Sequence, residues 1–123
     1  MENPTDKKFT VVFYETEKGN SPANDFILSL DQKTKVHIAR LLDVLECEGN
    51  NLREPFSKPI KDGIFELRYQ SKNKPVRIMY FFYHDGQIIL TNGFIKKTAK
   101  APRREIKRAQ RYKKDFIERH KSC

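Results

Sequence analysis

Ile64-Phe65-Glu66-Leu67-Arg68-Tyr69 alternates, and that alternation decides the fold. Phe65, Leu67 and Tyr69 share one face of an extended chain, while Ile64, Glu66 and Arg68 share the other. The next stretch, Val76-Arg77-Ile78-Met79-Tyr80-Phe81-Phe82-Tyr83, is apolar or aromatic at every position after Arg77. A strand of that kind is covered on both faces and belongs in the middle of a sheet. His84-Asp85-Gly86 is a tight hairpin signal, and residues 87–96 form the returning strand. Asn73-Lys74-Pro75 supplies the other turn. The three strands make an antiparallel meander.

Upstream, residues 9–14 are β-branched and aromatic and predict a strand. Residues 15–20 are polar, include Gly19 and predict a loop. Ser21-Pro22 has the form of an N-cap and first helical residue, so a short helix is expected to about Leu30. Asp31 caps a second helix, in which Ile38, Leu41, Leu42 and Leu45 make one apolar stripe and Gly49 ends the run. The two helices form a hairpin with a minimal connection. Residues 50–62 contain Pro55 and Pro59 and read as a loop. Downstream, Pro102 opens a last helix. Its apolar stripe is Ile106, Ala109, Tyr112, Phe116 and Ile117, with Lys and Arg over the remaining surface. The order is β-α-α-β-β-β-α. This is an α+β fold, one domain over residues 1–123, with an antiparallel twisted sheet, an N-terminal helical hairpin and a C-terminal basic helix. The helices are expected on one face, leaving Arg68 on an open one.

Composition narrows the function. The 123 residues are 37% hydrophobic and 33% charged, with 9 Phe and 5 Tyr but no Trp, so aromatic residues must supply much of the core. A disordered tail, a multidomain enzyme and a low-complexity protein are excluded. Cys47 and Cys123 make neither a disulfide framework nor a metal motif, which implies a reducing cytoplasm. The N-terminal residues lack the apolar core of a signal peptide, and no apolar run is long enough to span a bilayer. The net charge is +9, and its position is informative. Residues 1–94 hold 13 basic and 13 acidic residues, whereas residues 95–123 hold 12 basic and 3 acidic. The C-terminal quarter therefore carries the whole excess. Such a block attracts polyanions, nucleic acid first, with an acidic membrane or protein surface as the competitor. A Lys-rich helix that is merely solvated has the same composition.

No nucleophile elbow, phosphate loop, dinucleotide fingerprint or carboxylate pair is present. His37, His84 and His120 fall on a helix, a hairpin tip and near the chain end, and spacing builds no site from them. What remains is cationic. Arg68 and Arg77 flank a short turn, so a hairpin sets them side by side within reach of one phosphate, for which the guanidinium fork is suited. Lys96 and Lys97 leave the third strand where the basic region starts. Such a cluster holds a phosphodiester and stabilises the added charge of a pentavalent transition state. The competing reading pairs Arg68 with Glu66 or Asp62 as a structural salt bridge.

Taken together, Asp62-Gly63-Ile64-Phe65-Glu66-Leu67-Arg68, then Arg77-Ile78-Met79-Tyr80-Phe81, then Gly93-Phe94-Ile95-Lys96-Lys97-Thr98 resemble the phage-derived, HigB-type branch of the RelE/ParE toxin superfamily. The N-terminal strand, Ser21-Pro22 and Phe26, Leu28 and Leu30 extend the likeness over nearly the whole chain. The resemblance implies a RelE-like fold and the toxin of a type II toxin–antitoxin pair. Such toxins are usually ribosome-dependent messenger-RNA endonucleases that need neither metal nor cofactor. The ribose 2′-hydroxyl attacks the adjacent phosphate, leaving a 2′,3′-cyclic phosphate and a 5′-hydroxyl. By the same resemblance Arg68 and Arg77 hold the phosphate, and Lys96 or Lys97 serves as acid or charge stabiliser. Glu66 is a candidate base, standing with Phe65 where some relatives have lysines. Lys58, Lys61, Lys100, Arg103, Arg104, Lys107, Arg108 and Arg111 are the expected contacts to RNA and ribosome; Tyr112 is available to stack on a base, but its place in the apolar stripe favours core packing. A HigA-like helix-turn-helix antitoxin is the implied partner, and operator DNA is bound only through it. Proteins of the same fold that poison DNA gyrase instead are the alternative.

Overall fold

The computed structural model describes residues 7–71, 74–100 and 102–121. Its elements run β1 (Thr10–Phe13), α1 (Pro22–Leu28), α2 (Gln32–Glu48), β2 (Ser57–Lys61), β3 (Ile64–Ser71), β4 (Lys74–Tyr83), β5 (Gln87–Ile95) and α3 (Arg103–Arg119). The sheet order is β1-β5-β4-β3-β2. The meander is present, with β4 central between β3 and β5. β1 lies parallel to β5, so the sheet is mixed rather than antiparallel throughout. The turn expected at Asn73 falls partly outside the described residues, although the strands pair as far as Ser71 and Lys74.

One strand was hidden in the sequence. Residues 57–61 lie in the stretch expected to be a loop, yet they pair with β3 as β2. Pro59 argues against a strand only where its missing N–H is needed, and an edge strand tolerates it. The signal was Asp62-Gly63. Both residues have positive φ, 53° and 77°, which closes a two-residue hairpin between Lys61 and Ile64.

α2 begins and ends as its sequence directs, whereas Ser21 stands at the N-cap of α1 with its buried hydroxyl making no capping bond, and α1 stops at Leu28, short of the expected Leu30. The Asp31 carboxylate accepts hydrogen bonds from the Thr34 N–H and hydroxyl at 3.2 and 2.7 Å, capping α2. Gly49, with φ of 53°, closes its far end. α1 and α2 pack on one face of the sheet, where Ala23, Ile38, Leu41 and Leu45 meet Leu67, Val76, Ile78, Tyr80, Ile88 and Leu90. α1 sits so close to β5 that a Cβ on Gly93 would lie 2.3 Å from the Phe26 ring.

α3 does not join them. Its stripe packs on the opposite face, where Phe116 meets Phe81 and Ile89, and Ala109 meets Ile64, Met79 and Phe94. Helices therefore cover both faces, which corrects the one-sided arrangement. The reason is in β4 itself: Met79 and Phe81 are as apolar as Ile78 and Tyr80, so both faces need cover. β5 fixes the near end of α3. The buried Asn92 amide donates to the Glu105 carboxylate at 3.0 Å and to its backbone carbonyl at 3.2 Å. Arg108 forms an ion pair with the same Glu105 carboxylate at 3.3 Å. None of the helices is long and apolar enough to cross a membrane, among the described residues.

Candidate functional site

The α3 face of the sheet is apolar along the helix and charged beyond it. Antiparallel register places Arg68 of β3 directly opposite Arg77 of β4. Directly opposed residues on one face stand about 4.5–5.5 Å apart at Cβ, close enough for two guanidinium groups to share one anion. Glu66 lies two residues before Arg68 and on the same side. Its carboxylate is 2% exposed, and Oε1 lies 3.5 Å from Nε of both Arg68 and Arg77. Two positive groups thus converge on one buried negative one. β2 adds Lys58, which is paired in register with Glu66. After β5, the Lys96 N–H donates to the Pro75 carbonyl at 2.8 Å, which anchors that residue beside the start of β4.

Burial and charge act together here. Arg77 is buried, and its Nη1 donates to the Val76 carbonyl at 2.9 Å. Burial pulls the pKa of Arg77 below its ordinary value, Glu66 opposes that shift and Arg68 reinforces it. Lys96 moves in the same direction. Burial is the largest cause, Glu66 resists, and Arg77, Arg68 and Lys58 add repulsion. Arg77 Nε and Glu66 Oε2 are buried and make no hydrogen bond among the described residues. Neither group is saturated by the fold, although a buried polar atom usually is.

The cluster opens into a cleft of about 400 Å³ lined by Pro55, Phe56, Arg68, Tyr69, Gln70 and Arg77. Arg68 is half-buried and reaches this surface. Phe56, which had drawn no functional reading from the sequence, stands at the mouth and is 50% exposed. Its only sequence signal was its place before a strand that was not foreseen.

The other residues singled out from sequence are distributed more widely. Lys97 is exposed and lines a separate hollow with Phe94, Thr98, Pro102, Arg104 and Glu105, so the Lys96-Lys97 pair is split between two surfaces. Lys61 lies at the exposed end of β2, and Lys100 is exposed in the connection to α3. Arg103, Arg104, Lys107 and Arg111 are exposed on α3, whereas Arg108 is held by Glu105 and by the Tyr112 hydroxyl at 3.3 Å. The Tyr112 ring stacks on Tyr14 at 4.8 Å, and the Arg111 guanidinium lies 5.3 Å from its centre. That ring is used in packing α3 to the end of β1. The structural ion pair anticipated for Arg68 exists with Glu66, while Asp62 instead accepts from Gln110 at 2.5 Å and from Lys113 through its backbone carbonyl. The histidines do not line the arginine cleft: His37 stacks on Tyr69, His84 sits tilted against Tyr83 and His120 stacks on Phe116. Among the described residues, no group of three or more His, Cys, Asp or Glu side chains is placed to hold a metal ion. Cys47 is half-buried on α2, and Cys123 lies outside the described residues.

Residues 25–114 match the model of the phage-derived Gp49-like proteins (DUF891). No curated protein gives a significant match. The matched segment runs from within α1 to within α3 and contains Arg68, Arg77, Lys96 and the cleft. Matched over well more than half its length, and folded as an α+β domain around a five-stranded sheet, the chain belongs to the Gp49-like family of phage-derived proteins, a RelE/toxin-like family.

Proposed function

We propose that this chain is a HigB-type toxin of a type II toxin–antitoxin pair that cleaves messenger RNA on the ribosome. Family membership supports the toxin reading. The nuclease reading rests on one observation: Arg68 and Arg77 are opposed across two strands, with Lys96 beside them, at the wall of an open cleft.

The chemistry follows from the charges. The scissile phosphate docks on the two guanidinium groups. The ribose 2′-oxygen attacks phosphorus and releases its proton to solvent. The phosphorus–5′-oxygen bond breaks, leaving a 2′,3′-cyclic phosphate. The departing 5′-oxygen takes a proton from the Lys96 ammonium, which solvent recharges. Two prepositioned cations oppose the extra charge of the pentavalent state, and removing one such donor typically costs about 10²–10³ in rate. Glu66 serves as the clamp that holds both guanidinium groups, because its Oε1 already faces both of them. The lowered pKa of Lys96 favours proton donation near neutral pH over that of an ordinary lysine. The exposed cations of α3 supply the sequence-independent attraction to RNA and ribosome. A helix-turn-helix, HigA-like antitoxin is the partner this reading implies, with operator binding through that partner.

Primer extension on a reporter message in a translating extract tests the proposal. Wild type should produce new 5′ ends only when ribosomes are present, and Arg68→Ala and Arg77→Ala should lower their yield at least about 10²-fold. Intact message with wild type, alongside inhibited DNA supercoiling by gyrase, would replace this reading with the alternative.

A further inference from the structure

Phe56 is a large apolar side chain kept in water by a backbone that does not let it turn away. Its N–H donates to the Arg53 carbonyl at 3.0 Å, and its carbonyl accepts from the Arg68 N–H at 2.8 Å. The next residue is anchored more firmly still. Ser57 is buried, its N–H donates to Arg53 at 3.1 Å, and its hydroxyl pairs with the Tyr80 hydroxyl at 2.5 Å. The segment is thus pinned on both sides while Phe56 as a whole residue is 50% exposed.

The ring's neighbours say what such a surface suits. Phe56 and the two arginines line the same cleft, whose volume of about 400 Å³ falls in the range of small-ligand sites, roughly 300–1,000 Å³. Tyr69 lines it too, but that ring already stacks on His37 with centres 5.2 Å apart. Phe56 therefore supplies the accessible aromatic face beside a phosphate-sized pair of cations. A nucleotide has the complementary form, an anionic phosphate joined through ribose to a flat π-system. Single-stranded nucleic acid is bound by this combination of cationic groove and aromatic platform.

We infer that Phe56 is a nucleobase-stacking residue, which holds the base next to the phosphate gripped by Arg68 and Arg77. The inference rests on the nuclease reading for its substrate, and it adds the residue that fixes the base. Stacking tolerates every base, because each has a π-face, so Phe56 sets position and affinity more than sequence preference.

The chain has no tryptophan, so Phe56→Trp introduces the sole indole fluorophore exactly at the site in question. A 2′-O-methyl trinucleotide, which lacks the attacking hydroxyl, is titrated against this variant, with an abasic ribose-phosphate trimer as control. Quenching by the base-bearing oligonucleotide and its absence with the abasic trimer are expected. Equal quenching by both, or none by either, overturns the inference. In the ribosomal cleavage assay, Phe56→Leu and Phe56→Ala should both fall roughly ten- to a hundred-fold while Phe56→Tyr stays within a few-fold of wild type. A Phe56→Leu variant that cuts as wild type does would show that only apolar bulk matters, and would also overturn it. If the message stays intact with wild type but Phe56→Trp is quenched by bases alone, cleavage fails as the activity and base stacking stands.

Discussion

Glu66 shows how a single residue ties stability to the site. Its carboxylate is buried between Arg68 and Arg77, so removing it leaves two cations facing each other across a strand pair. Breaking a buried pair typically costs about 3–5 kcal/mol. Glu66→Ala should therefore show a large loss of stability in urea unfolding as well as lost toxicity. Arg68→Ala should separate the two effects. Arg68 is half-buried and its partner keeps Arg77, so stability should drop by about 1 kcal/mol or less while message cleavage drops about 10²-fold. A variant that loses stability and activity in proportion would reduce Arg68 to a structural salt bridge. Lys96→Arg tests the acid. Arginine keeps the charge and does not release a proton at working pH, so cleavage should fall while RNA binding holds, and any alkaline fall in rate due to Lys96 should vanish.

At the scale of elements, the face carrying the site is shared between α3 and open charge. The buried Asn92–Glu105 pair and the Phe116 contact set where α3 lies, and with it how much of the sheet stays uncovered. On the opposite face, α1 lies against β5 at a position only glycine fits, since a Cβ on Gly93 would lie 2.3 Å from the Phe26 ring. Gly93→Ala should cost about 1–3 kcal/mol through overpacking, read as a lower unfolding midpoint with unchanged slope. Gly93 is itself paired with Ile78 next to the Arg77 position, so cleavage should suffer less than stability only if the strands keep their register.

For the whole molecule, α3 is also tied to the end of β1. The Tyr14 hydroxyl donates to Asp115 at 2.6 Å, and Asp115 pairs with Arg119 at 2.7 Å. Burial first, and then the bond to Asp115, push the Tyr14 phenol up to about 12. The Asp115 carboxylate is shifted down by its hydrogen bonds from Arg119 and Tyr14. The signs then differ. A raised folded value stabilises fully below the unfolded phenol value near 10 and is lost as pH climbs through about 12. A lowered carboxylate value stabilises above the unfolded value near 3.8 and is lost as pH falls below it. The α3 docking contribution should be level across neutral pH and fade at both extremes, and Tyr14→Phe should abolish the alkaline part of the loss in thermal scans. The basic surface has its own signature. Binding to single-stranded RNA should weaken steeply with salt, and the double change Arg104→Ala and Lys107→Ala should lower the slope of log K against log salt by roughly 1.4.

Local chemistry determined most of the architecture. Alternation at residues 64–69, the apolar run after Arg77, the Asp31 cap and the Gly49 stop each depend on neighbours in the chain, and each element forms where its residues direct. Periodicity also foretold that Arg68 and Arg77 lie side by side, because a short hairpin leaves little choice of register. Three features depended on contacts between distant segments. β2 forms despite Pro59 because β3 offers an edge, and an edge needs only half of a strand's hydrogen bonds. α3 chose the second face because Met79 and Phe81 had to be buried there, and periodicity within the helix says which stripe is apolar but not what it meets. The same packing laid Tyr112 onto Tyr14, as its place in the apolar stripe had indicated, and left Phe56 in the open beside the arginines, which nothing local had indicated. A side chain's exposure depends on what the rest of the chain lays over it, so the cleft and its aromatic wall were decided by the tertiary structure alone.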